Sequence, residues 1–370
     1  MMNIIKYYNI KNARKNRLNN NKVQKMLINF KISNYLSFDD EQTFSMTSGT
    51  SENHPFHIRN INNLRLLRVS AVYGANASGK SNFIKAVSAM KDMVLNNEPI
   101  ITDRYFRPKP ENKDKPSLFE IEMEIDGHTF GYGFEYIISK QYVVDEWLHE
   151  IFTDRDSKMI FERTGNKITH GFKGPDKNRI DIYAEDTADK PHRLFLNIMG
   201  SRVRTGDVEL KVFGDVIEWF RNRLLILDTA MPFLPNRALD DQYFKKLNSI
   251  MSSFGTGMNE AGYENRTGMD GIVPQEITDE LKKILMAGKR KTPMVRTSHV
   301  YGSFRDYRIS LSDDDSLIFD EIVFRHNNGK SVFHSEEESD GTKKLFAMTA
   351  NMYADEGDTT YLTDDLDLGL

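Results

Sequence analysis

The chain has 370 residues, 39% of them hydrophobic, with a formal net charge of −4, enough apolar material for a large core in one elaborate domain or two modest ones. It contains no cysteine, which excludes a disulfide framework and any cysteine-ligated zinc or iron–sulfur centre and makes a reducing cytoplasm the expected setting. No apolar run nears the ~18 residues that cross a bilayer, so no membrane partner is expected, and the mildly acidic charge argues against continuous wrapping of nucleic acid.

Residues 1–25 carry seven Lys or Arg, seven Asn and no acidic residue, and the composition changes at Met26. A basic arm for nucleic acid or a membrane surface is one reading. The other, adopted as the expectation, is a disordered tail or a start placed too early, with Met26 as the first residue. From Met26, the stretch LINFKISNYLSF alternates Ile28, Phe30 and Ile32 with polar neighbours, and Thr43–Met46 offers a second strand after the acidic turn Asp39–Glu41. These predict an opening antiparallel pair. Leu66–Tyr73 is rich in β-formers and stops at Gly74, and beyond Ser81 the residues Phe83, Ile84, Val87, Met90 and Val94 recur at helical spacing. The predicted order is strand, glycine-bearing loop, helix.

Between Phe119 and Arg163 the segments FEIEMEI, FGYGFEYII, YVVDEWLHEIF and MIFER, parted by turn signals at Asp126–Gly127 and Ser139–Lys140, predict a β-rich lobe. From about Pro191 to Gly288 the pattern becomes largely helical, with Phe195, Leu196 and Met199 and then Val216, Trp219, Phe220 and Leu224 spaced for buried faces. Strands resume near Tyr307 and at Ile318–Phe324, and no internal repeat is present.

Residues 74–81 read GANASGKS and fit G-x-x-x-x-G-K-[ST] at every specified position. Glycines let such a loop curl its N–H groups around phosphate oxygens, and the following helix adds its positive end. Lys80 is placed to reach the β and γ phosphates of a nucleotide and Ser81 to ligate Mg²⁺. A chance match in a chain of this length is a ~1% event at ordinary residue usage. The predicted phosphate site comprises Gly74, Asn76, Ser78, Gly79, Lys80, Ser81 and Asn82, with the phosphates of a nucleotide and Mg²⁺ as its ligands. Hydrolysis also needs a carboxylate near the metal and a base for the attacking water. The strand-like TTYLT at Thr359–Thr363 ends in Asp364 and Asp365. Asp364 is the candidate on the magnesium side, through water, and Asp365 the candidate base; a solvated acidic turn fits the composition as well.

Taken together, NYLSF near the start, VYGANASGKSN at the loop, EESDGTKKLF at 337–346 and TTYLTDDLD at 359–367 resemble bacterial ATPases grouped as AAA-family or ATP-binding proteins. Their heads are of the ABC type, as in RecF and the structural-maintenance-of-chromosomes proteins. The resemblance covers most of the chain from Met26. It implies an α/β P-loop NTPase fold with an ABC-type head, a mixed sheet plus an antiparallel β lobe, and a helical insert. On that reading residues 26–190 and 301–370 form the two parts of the head and 191–300 the insert. It also implies that Ser339, Gly341 and Thr342 lie in a signature loop that reaches the γ-phosphate held by a second copy, so that ATP is buried in a homodimer. By itself, Ser339 favours an ordinary capped helix start, and it is the resemblance that favours the signature loop.

Two departures from the family pattern bear on turnover. Asp365 stands where the family has Glu, and the sequence ends at Leu370 where the family continues with a histidine-bearing switch loop. The expectation drawn is slow hydrolysis by a truncated or split protein. Gln141 follows a predicted strand but is a weak candidate for the family's glutamine loop. His149, His192, His326 and His334 lack the i, i+4 spacing of a metal site and are read as surface or satisfied core residues. Trp147 and Trp219 are read as packing. The leading functional expectation is a Mg²⁺-dependent ATPase switch in phage defence or genome maintenance. The rivals are an ATPase that acts directly on DNA and an ATP-binding module that assembles with a separate effector protein and hardly turns over.

Overall fold

The computed structural model describes residues 25–50, 55–61, 64–76, 78–227, 241–266, 275–287, 294–298, 304–312, 314–354 and 359–364. The basic tail up to residue 24 and Asp365 lie outside the described residues. The chain divides into two units, one spanning Leu18–Ile226 with Asp358–Asp364 and the other centred on Leu227–Gly357.

The first unit opens with β1 (Lys25–Ile32), β2 (Gln42–Ser45), β3 (Ile58–Ile61) and β4 (Leu64–Leu67), followed by α1 (Lys80–Asn96). The lobe then runs through β5 (Ser117–Ile125), β6 (His128–Ile137), β7 (Tyr142–Ile151), β8 (Lys158–Thr164) and β9 (Lys167–His170). Three helices, α2 (Gly174–Ala188), α3 (Phe195–Gly200) and α4 (Lys211–Asn222), precede β10 (Leu224–Leu227). One antiparallel sheet of seven strands, ordered β2-β1-β5-β6-β7-β8-β9, carries this unit. Its registers follow from alternation: Phe119, Ile121 and Met123 of β5 and Phe134 and Tyr136 of β6 are wholly buried. Asp126 and Gly127 both take positive φ, 57° and 89°, as the two-residue β5–β6 hairpin requires.

Helices α1, α3 and α4 supply the rest of this core. Helix α1 buries Ala86, Val87, Met90, Met93 and Val94, and α4 buries Phe213, Val216, Trp219 and Phe220. Phe161 of β8 meets Phe195 at 5.0 Å between centroids and Phe213 at 5.8 Å. Each such side chain contributes roughly 1.5–3 kcal/mol through burial. The opening antiparallel pair, the four predicted lobe strands and the packing role of Trp219 are all present. Trp147 is half-buried on β7 opposite Gly133.

The second unit contains α5 (Asp241–Ser252), β11 (Met258–Arg266), α6 (Gln275–Ala287), β12 (Met294–Ser298), β13 (Phe304–Leu311), β14 (Leu317–His326), β15 (Ser331–His334) and α7 (Asp340–Ala354). Its sheet runs β11-β14-β13-β12, with β15 also paired to β14. Ile322 and Phe324 of β14 pack with Leu247 and Met251 of α5 and Phe346 of α7. The chain returns to the first unit as β16 (Thr360–Thr363), paired with β10. Among the described residues no helix is long and apolar enough to cross a membrane.

Two sequence expectations change. The strand predicted over Leu66–Tyr73 is β4, which ends at Leu67 and pairs with β3, while Val69, Val72 and Tyr73 lie exposed outside any strand. β-Propensity makes a strand only where a partner edge receives it. The region read as largely helical also holds β10 and β11. The polar sequence MNEAGYENR of β11 shows little alternation, and its extended form comes from pairing along β14, from Met258↔His326 to Arg266↔Phe319.

Candidate functional site

Helix α1 begins at Lys80 with Gly79 as its N-cap, in the left-handed region at φ 98° and ψ 4°. No side chain caps this end and its first turn holds no acidic residue. The amides at the start of a helix have no intrahelical acceptor, so here they and the helix dipole present an uncompensated positive end. Lys80 folds back over the loop, its Nζ donating to the carbonyl oxygens of Gly74 at 2.8 Å and Ala75 at 2.9 Å. A further turn is closed by the Ser78 amide donating to Ala75 O at 3.1 Å. Gly74, Asn76 and Ser78 are exposed, and Gly79, Lys80 and Ser81 are half-buried. The structure thus gathers the predicted loop residues at one helix end with an ammonium group above them, an arrangement that fits the phosphates of a nucleotide.

The floor of the loop is a part that sequence reasoning missed. In the NYLSF segment Asn34 and Leu36 take positive φ, 47° and 50°. Asn34 is buried, its Nδ2 donating to Asn112 O at 2.9 Å and Lys115 O at 3.1 Å, while its Oδ1 accepts from the Phe106 amide at 3.1 Å. This fixes a tight turn that delivers Ser37 to the start of α1. Ser37 Oγ accepts from Asn82 Nδ2 at 3.0 Å. Asn82, predicted to touch nucleotide, therefore has an amide proton committed to Ser37. The sequence offers only the Asn-x-x-Ser spacing as a sign of this turn, too common a pattern to be read.

Asp364 directly follows β16. That strand is tied to the rest of the unit at several points. The Thr360 amide donates to Arg223 O at 2.7 Å, Thr360 Oγ1 accepts from the Leu27 amide at 3.3 Å, and Leu362 packs against the main core. Its neighbour β10 receives Lys91 of α1, whose Nζ donates to Leu224 O. Helix α1, which starts at Lys80, and β16, which leads to Asp364, therefore belong to one packed unit.

Ser339 lies in the second unit as the residue before α7. Its Oγ accepts from the Thr342 amide at 3.1 Å and lies 2.9 Å from Thr342 Oγ1. The capped helix start that residue type allowed is thus present, with Thr342 buried beneath it and Gly341 half-buried. Lys343 pairs with Asp340 at 2.7 Å and holds that exposed carboxyl below its ordinary range. Gln141 sits at φ 51° after the turn between β6 and β7. Of the histidines, His149 pairs with Glu162, His326 with Glu338 and His334 with Glu321. Among the described residues no group of three or more His, Cys, Asp or Glu is placed to hold a metal ion.

Comparison with curated proteins finds no match. A family model described as AAA domain, putative AbiEii toxin, type IV toxin–antitoxin system, matches residues 69–370, from just before the Gly74–Ser81 loop to the final residue, and the chain belongs to that family.

Proposed function

We propose that the chain is a cytoplasmic ATPase that binds ATP with Mg²⁺ at Gly74–Ser81, closes as a homodimer on the bound nucleotide and reopens after slow hydrolysis. The observation that carries this reading is the uncapped start of α1, with Gly79 at φ 98° and Lys80 poised over the loop. Membership of the AAA-domain family supports the nucleotide.

In this reading the amides of the loop and of the first turn of α1 bind phosphate oxygens. Lys80 exchanges its bonds to Gly74 and Ala75 for bonds to the β and γ phosphates. Bound Mg²⁺ would neutralise charge that develops between those phosphates. Ser81 and, through water, Asp364 would hold it. Asp365 orients the attacking water. An Asp carboxylate is one methylene shorter than Glu, and a retreat of ~1 Å can cost about 10²-fold in rate, hence the slow turnover. Ser339, the Gly341 amide and the start of α7 contact the γ-phosphate bound by the second copy, giving two composite sites related by a two-fold axis. Loss of the γ-phosphate removes that bridge. The family's description, a putative toxin of a type IV toxin–antitoxin system, supports a role in abortive infection and a separate protein partner. A second reading, an ATP-binding module with little turnover that serves such a partner, is favoured by Asp365.

The test is ATP binding and turnover with Mg²⁺ for the wild-type chain, Lys80→Ala and Asp365→Glu, with molar mass measured by light scattering in parallel. ATP-dependent dimers, turnover abolished by Lys80→Ala and turnover kept or raised by Asp365→Glu are expected. Binding without turnover in any variant selects the second reading. No binding at all overturns both.

A further inference from the structure

From His334, the last residue of β15, the chain makes a tight turn into α7 whose last residue is Ser339. Within the turn the bonds are local: the His334 amide donates to Glu337 Oε2 at 2.7 Å, and the Glu337 amide donates to His334 O at 3.0 Å. Two imidazole–carboxylate pairs then fasten it to β14, one at each end. At the entry, His334 Nδ1 lies 3.3 Å from Oε1 of Glu321, a side chain 1% exposed. At the exit, Glu338 Oε1 contacts Nε2 of His326, the last residue of β14. The Glu338 side chain is 6% exposed, so its carboxylate depends on that imidazole for much of its compensation. The ring of His326 is itself held edge-on against Phe333 of β15 at 5.0 Å.

Glu338 adjoins Ser339 in sequence, and among the described residues Ser339's own bonds reach forward, into α7. A link from the sheet to Ser339 at this end of the turn therefore runs from His326 through Glu338. We propose that His326 is a positioning residue for Ser339: it fixes, through Glu338, where the Ser339 hydroxyl and the start of α7 stand when the second copy's nucleotide arrives. This rests on the reading of Ser339 as a γ-phosphate contact. Neither histidine spacing nor residue type pointed to it, because the two members of the pair are twelve positions apart and meet only through the β14–β15 hairpin.

The experiment uses the full chain as wild type, His326→Leu and His326→Gln. Glutamine can carry an N–H to roughly the place of the imidazole Nε2, whereas leucine fills the space without a donor. Affinity for a fluorescent ATP analogue, thermal unfolding, and the dissociation constant of the dimer with a non-hydrolysable ATP analogue and Mg²⁺ are measured for each. His326→Leu is expected to bind nucleotide as the wild type does but to weaken the dimer about tenfold or more, the scale of one lost hydrogen bond to a charged group. His326→Gln is expected to restore most of it. A leucine variant that dimerises like wild type overturns the proposal. So does a glutamine variant as impaired as leucine, or a leucine variant that loses nucleotide binding and thermal stability together, since either marks a general structural role. A wild-type chain that binds nucleotide without dimerising removes the underlying reading and this inference with it, and is recognised from the wild type alone.

Discussion

The hydroxyl oxygen of Ser37 lies 2.7 Å from the point that a β-carbon on Gly79 would occupy. Gly79 is thus held to glycine twice, by its φ of 98° and by a polar atom pinned beneath it through Asn82. An L-residue in the left-handed region costs roughly 1–2 kcal/mol, and the contact with Ser37 adds to that. Gly79→Ala is expected to weaken binding of a fluorescent ATP analogue about tenfold or more. Adding Ser37→Ala should recover only the steric part. Unchanged affinity in Gly79→Ala would show that the loop does not need this geometry to bind.

Because Asn82 donates to Ser37, its effect on nucleotide should pass through Ser37. Ser37→Ala and Asn82→Ala are each expected to cost about 0.5–1.5 kcal/mol of ATP affinity, the range of one hydrogen bond. The double variant should cost no more than the worse single one. Titration of the two singles and the double measures the coupling. Additive losses would instead mean that Asn82 touches the nucleotide itself.

These two residues also mark the limit of what the sequence disclosed. The turn at Gly74–Ser81 and the helix that follows it were legible because their pattern is written in consecutive residues. The lobe strands were legible because a half-solvated antiparallel sheet imposes alternation, as in Phe119, Ile121 and Met123. Features made by distant pairing were not. Ser37 reaches α1 only through a turn braced by Asn34 and Asn112, and β11 becomes a strand because β14 receives it. Helix α2 escaped notice because only Ile180 and Thr187 along its length are buried, leaving no apolar stripe to read. Glu146 of β7 is wholly buried.

That glutamate organises the core of the first unit. Its carboxylate accepts from the amides of Phe195 at 2.7 Å and Leu196 at 2.9 Å, so it caps the start of α3, and also from the Tyr132 hydroxyl at 3.1 Å. Arg163 Nη1 lies 3.8 Å away, with both side chains fully buried. Burial pushes the Glu146 carboxyl up, against the pull of Arg163 and the two amides. Glu146→Ala leaves a buried guanidinium uncompensated and two amides without an acceptor, and is expected to cost about 3–5 kcal/mol in urea unfolding. Adding Arg163→Met should lower that cost, because the orphaned charge goes with it. A double variant as unstable as the sum of the singles would contradict this account.

Lys91 gives the first unit an alkaline signature. It is half-buried on α1 with its Nζ on the Leu224 carbonyl, and burial, reinforced by the charge of Arg221 and opposed by Asp92, pushes its pKa down from 10.5 to about 8. The unfolded chain keeps this proton up to the ordinary lysine value, while the folded chain releases it near pH 8. Between those limits the unfolded state binds more protons, so stability rises with pH. Tyr35, pushed up to about 12 by burial, acts in the opposite sense above pH 10, because its phenol ionises in the unfolded chain first. The window for observing Lys91 is therefore pH 8 to 10. Relative to Lys91→Met, which keeps the apolar stem and loses the amine, the wild type is expected to gain about 1–2 kcal/mol across that window, the linkage value reduced for partial solvent access. Urea unfolding at pH 8, 9 and 10 measures it. Parallel curves for the two proteins would mean that the amine finds enough water to stay charged, and that the bond to Leu224 does not bury it.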